Sequence, residues 1–407
     1  MCSAMSPQPP PPEPRSTAEE LRPRAELVVD LDAIAGNVAT LRARMREGSP
    51  QTQMMTVVKA DGYGHGIVEA ARAARAGGAD WLGVAVLEEA LALRAAGDTG
   101  RVLAWLAVPG EDYAPAVEAD VDVSAYTTAQ VEAVAAAARS LGRRARLQLK
   151  VDTGLNRGGA TAADWPALVA AAADAEQTGA VQVTGIWSHL ACSDEPDHPA
   201  NDAQEKAFVH ALQVVDAVGI EPEVRHLSNS AGALLRPWSA YDLVRCGIAS
   251  YGLSPAPDVV TAAELGLVPA MTARARLGLV KRVPAGAGVS YGHTWTAPRD
   301  TTVALVPVGY GDGVPRHASS AAHVLAAGAK RLVAGRVCMD QLMVDLGDGA
   351  AAERAEAGDP VVLFGTGEDG APTAQDWAEA CGTISYEIVT RIGGRFVRRH
   401  VSSKGLL

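Results

Sequence analysis

The sequence predicts an α/β protein, a (β/α)8 TIM-like barrel followed by a mainly β C-terminal domain. Strand-like runs alternate with alanine-rich helical segments between Met54 and Ile248, and there are eight such runs, the count of a (β/α)8 barrel. Within them the apolar residues are continuous rather than alternating, as in strands buried on both faces. After about Gly266 the rhythm changes to short strand-like runs separated by Gly, Pro and Asp, which describes a β domain. An open doubly wound sheet is the competing arrangement. It would call for a G-x-G-x-x-G turn after its first strand, and the chain has none at that place.

Residues 1–24 include Pro-Gln-Pro-Pro-Pro-Pro-Glu-Pro at 7–14. Such a segment favours extended polyproline and cannot bury a core, so it reads as a disordered tail. Glu26–Leu31 reads as a strand, with Asp32 as the N-cap of the helix after it. The barrel, spanning residues 25–265, takes its strands from Met54–Lys59, Trp81–Val86, Val102–Leu106, Val121–Ala125, Ala145–Val151, Val181–His189, Glu223–Leu227 and Asp242–Ile248. Ile67–Ala76, Leu87–Ala96, Thr128–Leu141, Trp165–Glu176 and Gln204–Val218 show helical periodicity between them. The second domain, residues 266–407, is expected to use strands at Thr272–Lys281, Thr301–Val308, Ala322–Leu325, Arg331–Val337, Gln341–Leu346 and Pro360–Phe364. One helix, Thr373–Cys381, interrupts them.

The chain has 407 residues, 48% hydrophobic and 20% charged, with a formal charge of −11. That charge argues against a nucleic-acid or anionic membrane surface as partner. Five widely spaced cysteines lack zinc-finger or thioredoxin spacing, which fits a reducing compartment. With no apolar run of membrane length and no signal-peptide core, a cytoplasmic location is expected. His65, His189, His226 and His293 lack the spacing of zinc ligands, so no metal site is expected.

Polar residues break the apolar runs mostly at strand C-terminal ends: Lys59, Lys150 with Asp152 and Arg157, His189, Ser228-Asn229-Ser230 and Arg245. In a barrel these ends meet on one face, where barrel active sites lie. Singly, each has a structural explanation. A strand-end lysine is commonly an ion-pair partner, a lone histidine a satisfied core residue, and the serines an N-cap. Five on one rim are harder to account for, because buried cations without a role carry a desolvation cost. Lys59, after Val57-Val58 and before Ala-Asp-Gly-Tyr-Gly-His-Gly66, is either an ion-pair partner or a Schiff-base nucleophile. Loops after strands seven and eight commonly cradle a phosphate. Together, an amine and a phosphate site suggest pyridoxal 5′-phosphate.

The stretch Val58-Lys-Ala-Asp-Gly-Tyr-Gly-His-Gly66 resembles the cofactor-attachment motif of the alanine racemase family, with Asp61-Gly62 where the family usually has Asn-Ala. Further similarities follow in family order. They are Lys150-Val-Asp-Thr-Gly-Leu-Asn-Arg157, Ser188-His-Leu, Ser228-Asn-Ser-Ala, Val244-Arg-Cys-Gly-Ile248, Val289-Ser-Tyr-Gly292, Val308-Gly-Tyr-Gly-Asp-Gly313 and Gly335-Arg-Val-Cys-Met-Asp-Gln341. The resemblance spans residues 25–398 and implies a pyridoxal-phosphate-dependent racemase of L- and D-alanine that supplies D-alanine for peptidoglycan. It implies a homodimer with shared sites. Lys59 carries the cofactor and serves as one base, and Tyr291 of the partner copy is the opposite base. Arg245 meets the pyridine nitrogen, and His189 links Arg245 to Tyr291. Tyr63, Ser230, Gly247 and Ile248 hold the phosphate. Arg157 and the backbone of Met339 hold the substrate carboxylate, and Lys150, Tyr310 and Asp340 support the site. In many family members the lysine equivalent to Lys150 is carbamylated. Asp194, Arg316 and Arg336 match positions at the substrate entrance.

One departure stands out. The family has a phosphate-contacting tyrosine near the C-terminus, and ungapped alignment from Thr383-Ile-Ser-Tyr-Glu387 places Gly394 there. The expectation is a missing phosphate contact and a wider entrance. This leaves room for the alternative of a broad-specificity racemase acting on serine or larger side chains. A decarboxylase on the same scaffold would carry a phosphate-binding glycine run, which the chain lacks. A single-domain cofactor carrier would lack Tyr291 and Met339, which the chain has.

Overall fold

The computed structural model describes residues 23–406. Strand β1 (Ala25–Asp30) leads into a helix at Leu31–Gly48, and eight parallel strands follow. These are β2 (Gln53–Val57), β3 (Trp81–Val84), β4 (Arg101–Ala104), β5 (Asp122–Ala125), β6 (Ala145–Lys150), β7 (Val181–Trp187), β8 (Val224–His226) and β9 (Leu243–Cys246). They pair in the order β8-β7-β6-β5-β4-β3-β2-β9. The gap between β8 and β9 has no regular ladder, but two bonds cross it, Asp242 N to Arg225 O at 3.1 Å and Arg245 N to Ser228 O at 3.0 Å. The strands are almost wholly buried, with helices packed outside, and that is why they read as unbroken apolar runs.

The second domain contains β10 (Met271–Arg276), β11 (Leu279–Val283), β12 (Gly288–Val289), β13 (Trp295–Thr296), β14 (Thr301–Val306), β15 (His323–Ala326), β16 (Ala329–Leu332), β17 (Leu342–Gly347), β18 (Pro360–Phe364) and β19 (Val397–Val401). A six-stranded sheet runs β16-β15-β18-β10-β1-β19, and a three-stranded one β11-β14-β17. So β1 belongs to the sheet of the C-terminal half and not to the barrel. It pairs antiparallel with β10 and parallel with β19, and its alternating burial suits a sheet with one covered face.

Several local expectations change. Asp30, not Asp32, caps the first helix, its Oδ1 accepting from the N–H groups of Asp32 and Ala33. Asp32 instead accepts from Ser402 and Ser403 near the chain end. The run Thr272–Lys281 divides between two sheets as β10 and β11, broken at Leu277-Gly278. The helix expected at Thr373–Cys381 spans Ala374–Cys381 with Thr373 as its N-cap, and a further helix at Ser385–Arg391 follows it, concealed by its β-branched residues. Residues 1–22 of the proline-rich tail lie outside the described residues. Arg24, assigned to that tail, bonds Pro307 O and Asp312.

Trp377 is 1% exposed, meets Phe364 edge-on, and donates from Nε1 to His323 O at 2.9 Å. Trp377→Ala removes this packing and leaves the His323 carbonyl unpaired. It is expected to lower unfolding stability by about 3–5 kcal/mol, measured by urea denaturation.

Candidate active site

Lys59, Tyr63, Lys150, Arg157, His189, Ser230, Arg245, Gly247 and Ile248 all line one cavity of about 420 Å³. Val57, Trp105, Trp187, Asn229, Tyr386 and Thr390 complete its wall. Four of these residues are cationic side chains and none is a carboxylate. Such a cavity has a strongly positive interior suited to an anionic ligand.

Arg245 projects inward from β9 and is 4% exposed. Burial of a charge is costly unless it is bonded, and here both terminal nitrogens are. Nη1 donates to His226 Nδ1 at 3.0 Å. Nη2 lies 2.9 Å from Ser188 O, 3.0 Å from Leu227 O and 3.2 Å from His189 Nδ1. Nε has no partner among the described residues and is the donor left for a ligand. Burial lowers the guanidinium pKa to about 9, still above neutral, so Arg245 stays charged at pH 7. Both histidines are held well below the usual range, by burial first and by Arg245 second. They are neutral, and because each accepts at Nδ1, each carries its proton on Nε2.

His226 is the residue that sequence reasoning missed, having been considered only as a metal ligand. Its ring lies parallel to Trp187 at 5.5 Å, and Nε2 donates to Gln148 Oε1 at 2.8 Å. Gln148 Nε2 reaches Asp122 Oδ1 at 3.4 Å. Asp122, also fully buried, pairs with Arg101 and Arg146, which share Glu223. A polar column therefore runs through the barrel interior from Arg245 to Glu223. Gly185 makes room for it, since a Cβ there would stand 2.7 Å from the Gln148 amide carbon. The inward-facing polar residues of β5, β6 and β8 were the only signal in the sequence.

Lys59 does not end a strand; β2 stops at Val57. Lys59 opens a left-handed turn in which Ala60, Asp61, Gly62 and Tyr63 have φ of 52°, 54°, 64° and 53°. L-residues in that region cost about 1–2 kcal/mol each, so tertiary contacts must hold the turn. The Lys59 amine lies 5.7 Å from the Trp105 ring centroid. Its pKa is lowered by burial and then by Arg157, which favours the neutral, nucleophilic form. Lys150 lies over Trp187 at 4.4 Å. Its pKa falls to about 8, through burial first and then through Arg245 and Arg157.

Opposite the lysines, Ser230 Oγ accepts from Gly247 N at 2.8 Å. The N–H groups of Ser230 and Ile248 make no bond among the described residues. Residue 247 must be glycine, because a Cβ would come within 2.4 Å of the Tyr63 hydroxyl. Tyr63 stacks on Tyr251 at 5.0 Å and lies 6.2 Å from Tyr386. Burial raises the Tyr63 and Tyr386 hydroxyl pKa values, so both remain donors.

Tyr386 corrects the expectation at Gly394. It stands on the helix Ser385–Arg391 and lines the cavity beside Tyr63. Gly394 is absent from the lining, has φ +58°, and a Cβ on it would stand 2.9 Å from Gly311 O. The ungapped alignment took the wrong aromatic register across a helix that had not been recognised. A tyrosine is therefore present at the cavity, and the wider entrance inferred from Gly394 loses its basis. Asp194 lines a recess adjoining the cavity, while Arg316 and Arg336 are exposed on the second domain.

Tyr291, Tyr310 and Met339 are not in the cavity. They are 71%, 40% and 55% exposed on loops of the second domain. Ser290, before Tyr291, is held at φ +64° with its hydroxyl donating to Arg336 O at 2.6 Å. Gly311 N donates to Met339 O at 2.8 Å, and Asp340 pairs with Arg395 at 2.7 Å. Among the described residues no cluster of His, Cys, Asp or Glu could hold a metal.

A barrel with a lysine-bearing cationic cavity at its strand ends, joined to a β domain, is the arrangement this chain shares with isomerases of the racemase class. Residues 29–255 match the description "Alanine racemase, N-terminal domain" and 270–400 "Alanine racemase, C-terminal domain". An alanine racemase of Frankia casuarinae is 54% identical over 93% of this chain and 96% of its own. One of Thermobifida fusca is 55% identical over 92% and 97%. The crystal structure of alanine racemase from Streptomyces lavendulae superposes with a TM-score of 0.90 at 52% identity, covering 94% of this chain and 98% of that one. The chain belongs to the alanine racemase family.

In bicarbonate-free buffer, wild-type protein is expected to gain stability relative to Lys150→Met as pH rises from about 8 to 10.5. In that window the unfolded chain still binds a proton that the folded chain has released. The gain is at most about 1.4 kcal/mol per pH unit, read from urea unfolding. A pH-independent difference would refute the lowered pKa.

Proposed function

We propose that the protein interconverts L- and D-alanine on pyridoxal 5′-phosphate, using Lys59 and the partner copy's Tyr291 as opposed bases. The observation that carries this is the cavity itself, where Lys150, Arg157 and Arg245, with no carboxylate in the lining, converge on the Lys59 amine, whose pKa is lowered. The residues fit the cofactor. Lys59 supplies the attaching amine. Ser230, Ile248, Tyr63 and Tyr386 supply donors for a phosphate, Gly247 leaves room for it while its N–H is bonded to Ser230 Oγ, and Arg245 Nε supplies a donor for the ring nitrogen. When bound, the cofactor would supply an electron sink that acidifies the substrate Cα–H.

This chain's residues then act as follows. Arg245 keeps its protons, so it hydrogen-bonds the ring nitrogen without protonating it. Arg157 has no acceptor among the described residues and is free to hold a carboxylate bidentately. Lys59, its pKa lowered by burial and by Arg157, takes or returns a proton on one face of Cα. Racemisation needs a second base on the opposite face, and the cavity lining offers no tyrosine there other than the phosphate-side pair. The exposed Tyr291, with Tyr310 and Met339, supports a homodimer in which these loops enter the partner's cavity. His189 is placed to pass a hydrogen bond from Arg245 toward that tyrosine. Lys150, its amine pKa lowered to about 8 and flanked by Arg157 and Arg245, releases its proton more readily than an exposed lysine and is suited to carbamylation, which would replace a cation by an anion that orients Arg157. D-Alanine so formed would serve peptidoglycan synthesis in the cytoplasm. Among the described residues no helix is long and apolar enough to cross a membrane.

Purified protein supplied with pyridoxal phosphate and L-alanine should form D-alanine, followed by chiral chromatography. Lys59→Ala should form none, and absence of product from the loaded wild type would refute the proposal. Lys59→Ala and Tyr291→Phe, each inactive alone, should recover about one quarter of wild-type activity when co-expressed equally. Half the dimers are then mixed and each holds one intact site. No recovery would exclude sites shared between copies.

A further inference from the structure

We propose that Arg398 and His400, on the last strand of the chain, are positioning residues that hold the left-handed turn presenting Lys59. The proposal rests on the reading of Lys59 as the attaching amine.

Four consecutive residues after Lys59 occupy the left-handed region, three of them not glycine. Bonds inside the turn, Gly62 N to Val58 O, Gly64 N to Ala60 O and Gly66 N to Asp61 O, are 2.8–3.0 Å long. They close a turn of either hand and do not select this one. Selection comes from two outside elements. From the barrel, Glu89 Oε1 accepts from Ala60 N at 2.7 Å while its Oε2 accepts from Ala85 N at 2.8 Å. From the second domain's sheet, Arg398 Nη2 pairs with Asp61 Oδ2 at 2.6 Å, and His400 Nε2 donates to His65 O at 2.7 Å. Asp61 Oδ1 meanwhile accepts from Ile67 N at 2.9 Å and starts the next helix. One carboxylate thus ties the turn, the helix after it and strand β19 together.

The strand period explains why this pair of residues does it. Positions 398 and 400 share one face of β19, whereas Arg399 points the other way to Glu26. Because β19 pairs, among the described residues, only with β1, the sheet formed by the first and last described strands grips the lysine turn. Asp61 matters here. It supplies the charge that Arg398 binds. The pair is partly exposed, so its effect on global stability is small; its role is local geometry.

Hydrogen exchange read by mass spectrometry on residues 58–67, in cofactor-free and cofactor-loaded protein, tests this. Arg398→Ala and His400→Ala should each raise exchange in that peptide about tenfold, with barrel peptides elsewhere unchanged. Both should release the cofactor several-fold faster, and Arg398→Lys should recover most of the protection. Asp61→Asn combined with Arg398→Ala should add little beyond either alone. Wild-type exchange in 58–67 in both single variants would overturn the proposal. Failure of borohydride to fix the cofactor on Lys59 would instead overturn the reading beneath it, leaving the exchange result to stand on its own.

Discussion

A buried guanidinium organises this molecule. Arg245 lies where the barrel closes without a regular ladder, and its bonds to Ser188 O, Leu227 O and His226 join the ends of β7, β8 and β9. The charge cannot be buried unless those acceptors are in place, so the closure and the charge require each other. Meeting that requirement consumes both terminal nitrogens and leaves Nε toward the cavity. The same requirement keeps His189 and His226 neutral and recruits Gln148 and Asp122 into the interior.

The second constraint is the turn after Lys59. Its backbone is unfavourable by itself, and it is held between a barrel helix and the sheet that pairs the first and last described strands. The barrel therefore does not shape the Lys59 turn alone. The second domain enters the site twice, through β19 behind the lysine and through the helix that carries Tyr386. Its remaining contribution, the loops bearing Tyr291, Tyr310 and Met339, faces away from the chain's own cavity. One copy thus completes the wall of its cavity and displays these three residues outside it.

Much of this was legible beforehand. Eight buried strands announce themselves by uninterrupted apolar runs, and polar residues at their ends stand out against that background. Lys59, Lys150, His189, Ser230 and Arg245 were visible for that reason and do share one cavity. Less was legible where the signal was short or two-sided. The helix at Ser385–Arg391 is brief and β-branched, so Tyr386 was overlooked and Gly394 took its place. The run Thr272–Lys281 looks like one strand because nothing local says that Leu277-Gly278 passes between sheets. β1 precedes the barrel in the chain, yet it pairs with strands some 250 and 370 positions later.

The sequence by itself determined the alternation of strands and helices, the change of rhythm near Gly266 and the chemical identity of the cavity's cations. These follow from local periodicity and composition, which need no knowledge of distant contacts. Only the tertiary structure decided that Lys59 rides on a left-handed turn, that His226 orients Arg245, and that Tyr386 stands by Tyr63. Each depends on contacts across long chain separations, where conformations unfavourable in isolation are stabilised by groups that no sequence window contains.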